Sequence, residues 1–172
     1  LENQRDLIDA GIAFNEGGYG ELDEATGKKL AITVLAAEKG GGNFVLEVTN
    51  PGGHSSRPRP DNAIYALAKG LDNLSHFSFP IDLNQVNRAY FTKMAPLVGC
   101  EMGKAMTALM ANPKDAAADA IVSKSPNYNA MLRTVCTPTL LSGGHAANAL
   151  PQRARATVNC RTLPGMSRAA VK

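Results

Sequence analysis

Two segments bounded by glycine and proline, Asn50-Pro51-Gly52-Gly53-His54-Ser55-Ser56-Arg57-Pro58 and Gly143-Gly144-His145-Ala146-Ala147-Asn148-Ala149-Leu150-Pro151, dictate where this chain must turn. Glycine admits backbone angles closed to other residues, and proline fixes its own. Each segment is therefore a sharp turn whose polar side chains are aimed rather than loose. The second turn leads into a strand ending at Arg161. A histidine, an amide and a guanidinium are the groups a site needs to hold an oxyanion and a carboxylate.

The hydrophobic pattern places elements around these turns. Phe44, Leu46 and Val48 alternate with Val45, Glu47 and Thr49, as in a strand with one buried face. Strands over 30–37 and 43–49 are expected to form a hairpin through Lys39-Gly40-Gly41-Gly42. Ile64, Leu67, Ala68, Leu71 and Leu74 recur at helical spacing, so a helix is expected over about 62–74 with Asp61 as its N-cap. Residues 76–131 read as a mainly helical insertion. It contains a helix within Leu97–Met110, a shorter one opening at Pro113, and a polar turn over Ser123–Asn129.

Strand signals return at Cys136–Leu141 and Arg153–Arg161. In the latter, Thr157, Asn159 and Arg161 share one face, and Ala156, Val158 and Cys160 share the other. Pro164-Gly165 closes it, and a helix begins near Ser167. The order strands, helix, insertion, strands, helix predicts an α+β sandwich with helices against an antiparallel sheet.

Composition narrows the function classes. With 44% apolar and 19% charged residues the chain is an ordinary globular protein, and its net charge of +3 is scattered, which disfavours nucleic acid as a partner. No apolar run is long enough to span a bilayer and no signal-peptide pattern opens the chain, so a soluble protein is expected. The chain starts at Leu1, so an upstream leader is compatible with it, and cytoplasmic and periplasmic or secreted locations both stay open. Cys100, Cys136 and Cys160 are an odd, widely spaced set and read as reduced core thiols, Cys160 as an inert one.

Three segments together resemble the M20 family of zinc-dependent exopeptidases and amidohydrolases. They are Phe14-Asn15-Glu16-Gly17-Gly18, then Gly52-Gly53-His54-Ser55-Ser56 followed by Asn62-Ala63-Ile64, and Gly143-Gly144 through Asn148-Ala149-Leu150-Pro151 to Arg161-Thr162-Leu163-Pro164-Gly165. Their forms look most like the carboxypeptidase S and N-acyl-amino-acid hydrolase branch. The resemblance implies a catalytic domain holding two zinc ions and an inserted lid, or dimerisation, domain of ferredoxin-like α+β fold. Residues 1–29 would be the end of a catalytic-domain segment, and residues 30–172 the lid with its insertion at about 76–131. The family's His-x-Asp motif and Glu-Glu pair do not occur here, and the family's second lid helix and last strand are expected beyond Lys172. A fragment of a larger enzyme, inactive alone and not retaining the zinc, is therefore expected.

The resemblance also implies roles. His54 would reach the active site of a partner subunit and stabilise the oxyanion formed when metal-bound water attacks an amide. Arg161 would pair with the substrate carboxylate, Asn148 would contact the substrate backbone, and Gly144 would allow close approach. Glu16 would ligate one metal. The partners implied are a small peptide or N-acyl amino acid and a second copy of the chain in a homodimer. From the residues alone each has a blander reading: an exposed loop histidine, a strand-end surface arginine, turn residues and a turn glutamate. His145 has no motif behind it. Ser55 and Ser56 lack a nucleophile elbow and read as turn caps. The competing reading is a non-catalytic homodimerisation module; a stand-alone cysteine or serine hydrolase is disfavoured.

Overall fold

The computed structural model describes residue 9, residues 17–23 and residues 26–172. The chain divides into two compact units, Leu1–Ala36 and Ala37–Lys172. In the first, strands β1 (Gly20–Leu22) and β2 (Lys29–Ile32) pair antiparallel, with Glu21 opposite Ala31. Asp23 closes the turn between them: its carboxylate accepts from the Thr26 N–H (2.7 Å) and hydroxyl (2.6 Å).

The second unit is built on three antiparallel strands, β3 (Gly40–Thr49), β5 (Val135–Gly143) and β7 (Arg153–Thr162), in the order β3-β7-β5. Two-residue strands β4 (Gly53–His54) and β6 (Ala149–Leu150) form a separate small ladder. Strand, helix, strand, strand in this order is the β-α-β-β portion of a ferredoxin-like arrangement, and the fold is α+β. The period-2 reading of β7 holds: Ala154, Ala156, Val158 and Cys160 are buried, and Arg153, Arg155 and Arg161 are exposed on the opposite face. On that open face Glu47 pairs with Arg155 at 2.8 Å, and Asn159 donates to Asn43 at 2.8 Å.

Helix α1 (Ala63–His76) lies against all three strands. Ala63 and Leu67 are fully buried against Ala154 and Ala156, with Val48 and Leu71 packed beside them. Alanine on β7 lets the helix approach closely. The expected helix is thus present, with two corrections. Its N-cap is Asn62, whose side chain accepts from the Ile64 and Tyr65 N–H groups, because Asp61 is engaged by Arg59. Its buried stripe is headed by Ala63, and Ile64 and Ala68 face outward.

The expected 30–37/43–49 hairpin does not form. Residues 29–32 pair with β1, while the glycine run enters β3 and pairs with the end of β7. The insertion is helical but differs in detail. It comprises α2 (Gln85–Met94), α3 (Cys100–Ala111), α4 (Ala116–Val122) and α5 (Pro126–Leu132). Helix α2 lies in a stretch for which no element was expected, with Asn84 as its cap. Helix α4 opens at Ala116 with Asp115 as its cap, later than the expected opening at Pro113, and Ser125 caps α5 where a turn was expected. Phe91, Met106, Leu109, Val122 and Leu132 form a buried core here, and the buried Arg133 guanidinium donates to the Asp119 carboxylate and to Ser123. A 3-10 turn over Arg168–Ala170 stands where a helix was expected to begin.

The cysteine expectation is overturned. Cys136 and Cys160 are direct partners in the β5–β7 register and form a disulfide, leaving Cys100 free and exposed. Antiparallel pairing brings opposite Cβ atoms to within bonding reach of two sulfurs, a proximity set by register and invisible in spacing.

Candidate functional site

The two diagnostic turns meet. Gly52, Gly53 and Gly144 all adopt positive φ (+80°, +149° and +77°), a region other residues rarely enter, so the turn geometry depends on their lacking a side chain. In the β4–β6 ladder Gly53 faces Leu150 and His54 faces Ala149. One residue on, the Ser55 N–H donates to the Asn148 carbonyl at 2.9 Å. His54, at the end of β4, and Asn148, in the turn that leads into β6, are both exposed and adjoin, with Gly144 in the same loop as Asn148.

The first turn is braced from both sides. The Asn50 N–H donates to the Gln152 carbonyl (2.9 Å), its side-chain oxygen accepts from the Gly52 N–H (2.9 Å), and its amide donates to the Asp61 carbonyl. Asp61 is gripped by Arg59 at 2.7 Å, which holds its carboxyl down at about 2. Within the turn, His54 Nδ1 lies 2.8 Å from the Ser56 hydroxyl and accepts from the Ser56 N–H at 3.2 Å.

Beside this turn pair is an open cleft of about 720 Å³ whose lining includes Ile64, Tyr65, Gly144, His145 and Leu150. His54, Asn148 and Arg161 do not line it. The lining of the cleft holds no Asp, Glu, Lys or Arg side chain.

Arg161 stands elsewhere. It is eight positions along β7 from Arg153, which at a strand rise of about 3.3 Å per residue is roughly 26 Å. Arg153 is the strand's other end, close to the β4–β6 turns. Within one copy the structure brings His54, Asn148 and Gly144 together and leaves Arg161 apart. Arg161 pairs with Gly41 of β3 and Val135 of β5, exposed on the open face. Glu16 lies outside the described residues. Among the described residues no three His, Cys, Asp or Glu side chains converge as a metal site, so these residues do not fit the implied zinc ions.

The profile of a peptidase dimerisation domain, that of the M20 peptidases, matches residues 36–172. The chain belongs to the M20 family. Among relatives of this M20 domain, a probable carboxypeptidase S-like 2 from Dictyostelium discoideum is 33% identical over 78% of the chain and 25% of its own length. The human N-fatty-acyl-amino acid synthase/hydrolase PM20D1 is 30% identical over 91% of the chain and 32% of its own length, and its mouse counterpart 26% identical over 94% and 31%. The chain thus spans a quarter to a third of the curated relatives it matches. No helix among the described residues is long and apolar enough to cross a membrane.

Two residues beside these positions were not singled out from sequence. Ser56 fixes the His54 ring, and its signal was the Ser-Ser pair read only as a cap. Lys39 stands at the Arg161 end of the sheet, and its signal was the glycine run that follows it.

Proposed function

We propose that this M20 domain is the lid and dimerisation domain of a zinc-dependent exopeptidase or N-acyl-amino-acid amidohydrolase acting on small substrates with a free carboxylate. Metal ions held elsewhere in the full-length protein would supply the attacking water. This chain supplies His54 as oxyanion donor, Asn148 and Gly144 for the substrate backbone, and Arg161 for the carboxylate. Glu16 is assigned to the metal site of the full-length protein.

The observation that carries this reading is the separation of Arg161 from His54. Arg161 stands at the far end of β7, roughly 26 Å along the strand from Arg153 beside the His54 turn, so one small substrate does not reach both within a single copy. A two-fold axis resolves this, since each substrate can then meet Arg161 of one copy and His54 of the other. An exposed edge strand, β5, with Leu140 and Leu141 at 68% and 72% exposure, is a surface suited to meeting a second copy.

Complementation tests the arrangement. His54→Ala and Arg161→Met, each severely impaired toward a carboxylate substrate as a full-length homodimer, should regain about a quarter of wild-type activity when co-assembled, because half the dimers are mixed and each mixed dimer has one intact site. No recovery in verified mixed dimers would rule out a shared site.

A further inference from the structure

The end of the sheet that carries Arg161 is unusual for its lack of side chains. Gly40, Gly41 and Gly42 pair with Thr162, Arg161 and Cys160. Glycine inside a strand weakens it and marks places where another group must come close. The group here is Arg161: a Cβ on Gly41 would stand 3.3 Å from Arg161 Nη1 and 4.0 Å from its Cδ and Cζ. The guanidinium lies over bare backbone.

Lys39 precedes the glycines. Its ammonium donates to the carbonyls of Ala130 (2.6 Å) and Arg133 (2.8 Å), at the C-terminal end of α5. Arg133 is two residues before Val135, the β5 partner of Arg161. The Lys39 side chain therefore starts beside β3 and ends beside β5, crossing the end of β7 where Arg161 stands. Two of its three N–H bonds are used. Burial, and secondarily the Arg161 charge, lower the Lys39 ammonium to about 8. Two cations this close repel, and an anion between them removes the repulsion.

We propose that Lys39 is the second cation of the substrate-carboxylate subsite, donating its remaining N–H to the carboxylate that Arg161 grips through two parallel bonds. Gly41 is a positioning residue, kept without a side chain so that the guanidinium can lie flat. A carboxylate has lone pairs for all three donors. The inference rests on the assignment of Arg161 to the carboxylate made above, and the test separates the two.

In the full-length protein, kinetics are compared for an N-acyl amino acid and its carboxamide. Lys39→Met should raise KM for the carboxylate about tenfold, the worth of one charge-assisted bond, with kcat retained and the carboxamide unaffected. Lys39→Arg should restore most of the preference. Gly41→Ala should weaken it without touching the Lys39 bonds to α5. Loss of preference in Arg161→Met but not in the Lys39 and Gly41 variants overturns the inference and leaves the Arg161 assignment standing. Retained preference in Arg161→Met overturns both. If Lys39→Met does not fold, nitrogen NMR of the wild-type lysine decides. N-acetylglycine should raise the Lys39 pKa by about one unit, the linkage of a tenfold preference for the charged form, and an unmoved pKa overturns the inference.

Discussion

Ser56 locks the ring of His54 through one nitrogen, presenting both its hydroxyl (2.8 Å) and its main-chain N–H (3.2 Å) to Nδ1. A main-chain amide can only donate, so in the neutral ring Nδ1 is the bare nitrogen and Nε2 carries the proton. The imidazole is thereby held with an N–H on the side away from its own loop. An oxyanion donor oriented in advance needs no reorganisation when charge develops.

Removing the donor and loosening it should differ in size. If the proposed function holds, His54→Ala in the full-length protein should lower kcat by about 10²–10³, the loss typical of one oxyanion donor. Ser56→Ala keeps the amide bond and loses only the hydroxyl, so about a fivefold loss is expected. Turnover by both variants measures this. An unchanged kcat in His54→Ala would remove the histidine from the reaction.

What was legible in the sequence is what local chemistry decides. The alternation in Arg153–Arg161 marks a face that is buried as expected, whereas of the helical stripe Leu67 and Leu71 pack inward and Ile64 and Ala68 point out, because Ala63 takes the place beside Ala154 and Ala156. The glycine-rich turns were legible as turns because positive φ at Gly52, Gly53 and Gly144 is a local need, but that the two turns meet was not. Long-range pairing left no such trace. Gly40-Gly41-Gly42 has the composition of a turn, yet its conformation is set by strand β7, more than a hundred residues later. The disulfide hid for the same reason, since only the register shows Cys136 opposite Cys160. Helix α5 was missed because Ser125-Pro126-Asn127 reads equally as a turn or as a helix start with proline in its first turn, and packing of Leu132 selects the second.

Two helical glycines should respond oppositely to the same change. A Cβ on Gly103 of α3 would stand 2.2 Å from the Ala95 carbonyl oxygen, which is backbone and cannot rotate away. Gly103→Ala should therefore cost about 1–3 kcal/mol by overpacking. Gly70 in α1 has nothing within 4 Å of a built Cβ, so Gly70→Ala should stabilise by about 0.5–1 kcal/mol through helix propensity alone. Urea denaturation of the two variants checks the contrast. Equal effects would mean that α3 does not approach Ala95 as described.

The thiol count distinguishes the observed cross-strand bond from three free cysteines. Under non-reducing, denaturing conditions one thiol should react, Cys100, and after reduction all three should. Closing a loop with sequence separation 24 should contribute about 3 kcal/mol, so Cys136→Ser/Cys160→Ser should lower Tm while leaving Cys100 reactive. A disulfide of this kind persists in oxidising compartments, so recovery of three free thiols from the native host would place the protein in a reducing one.

Lys39 gives a pH signature whose sign is fixed. Its ammonium titrates at about 8 in the folded protein, lowered mainly by burial and then by Arg161, against an ordinary 10.5. Between those values the unfolded chain holds the proton and the folded chain has released it, so stability rises with pH across that window. Below pH 8 both states are protonated and the cost of burying the charge is felt in full; above 10.5 both are neutral and it is gone. Wild type should therefore gain on Lys39→Met as pH is raised from 8 toward 10, measured as the difference between their Tm values. Parallel Tm curves for the two proteins would mean that the ammonium is not held beside Arg161 and the α5 carbonyls in a desolvated position.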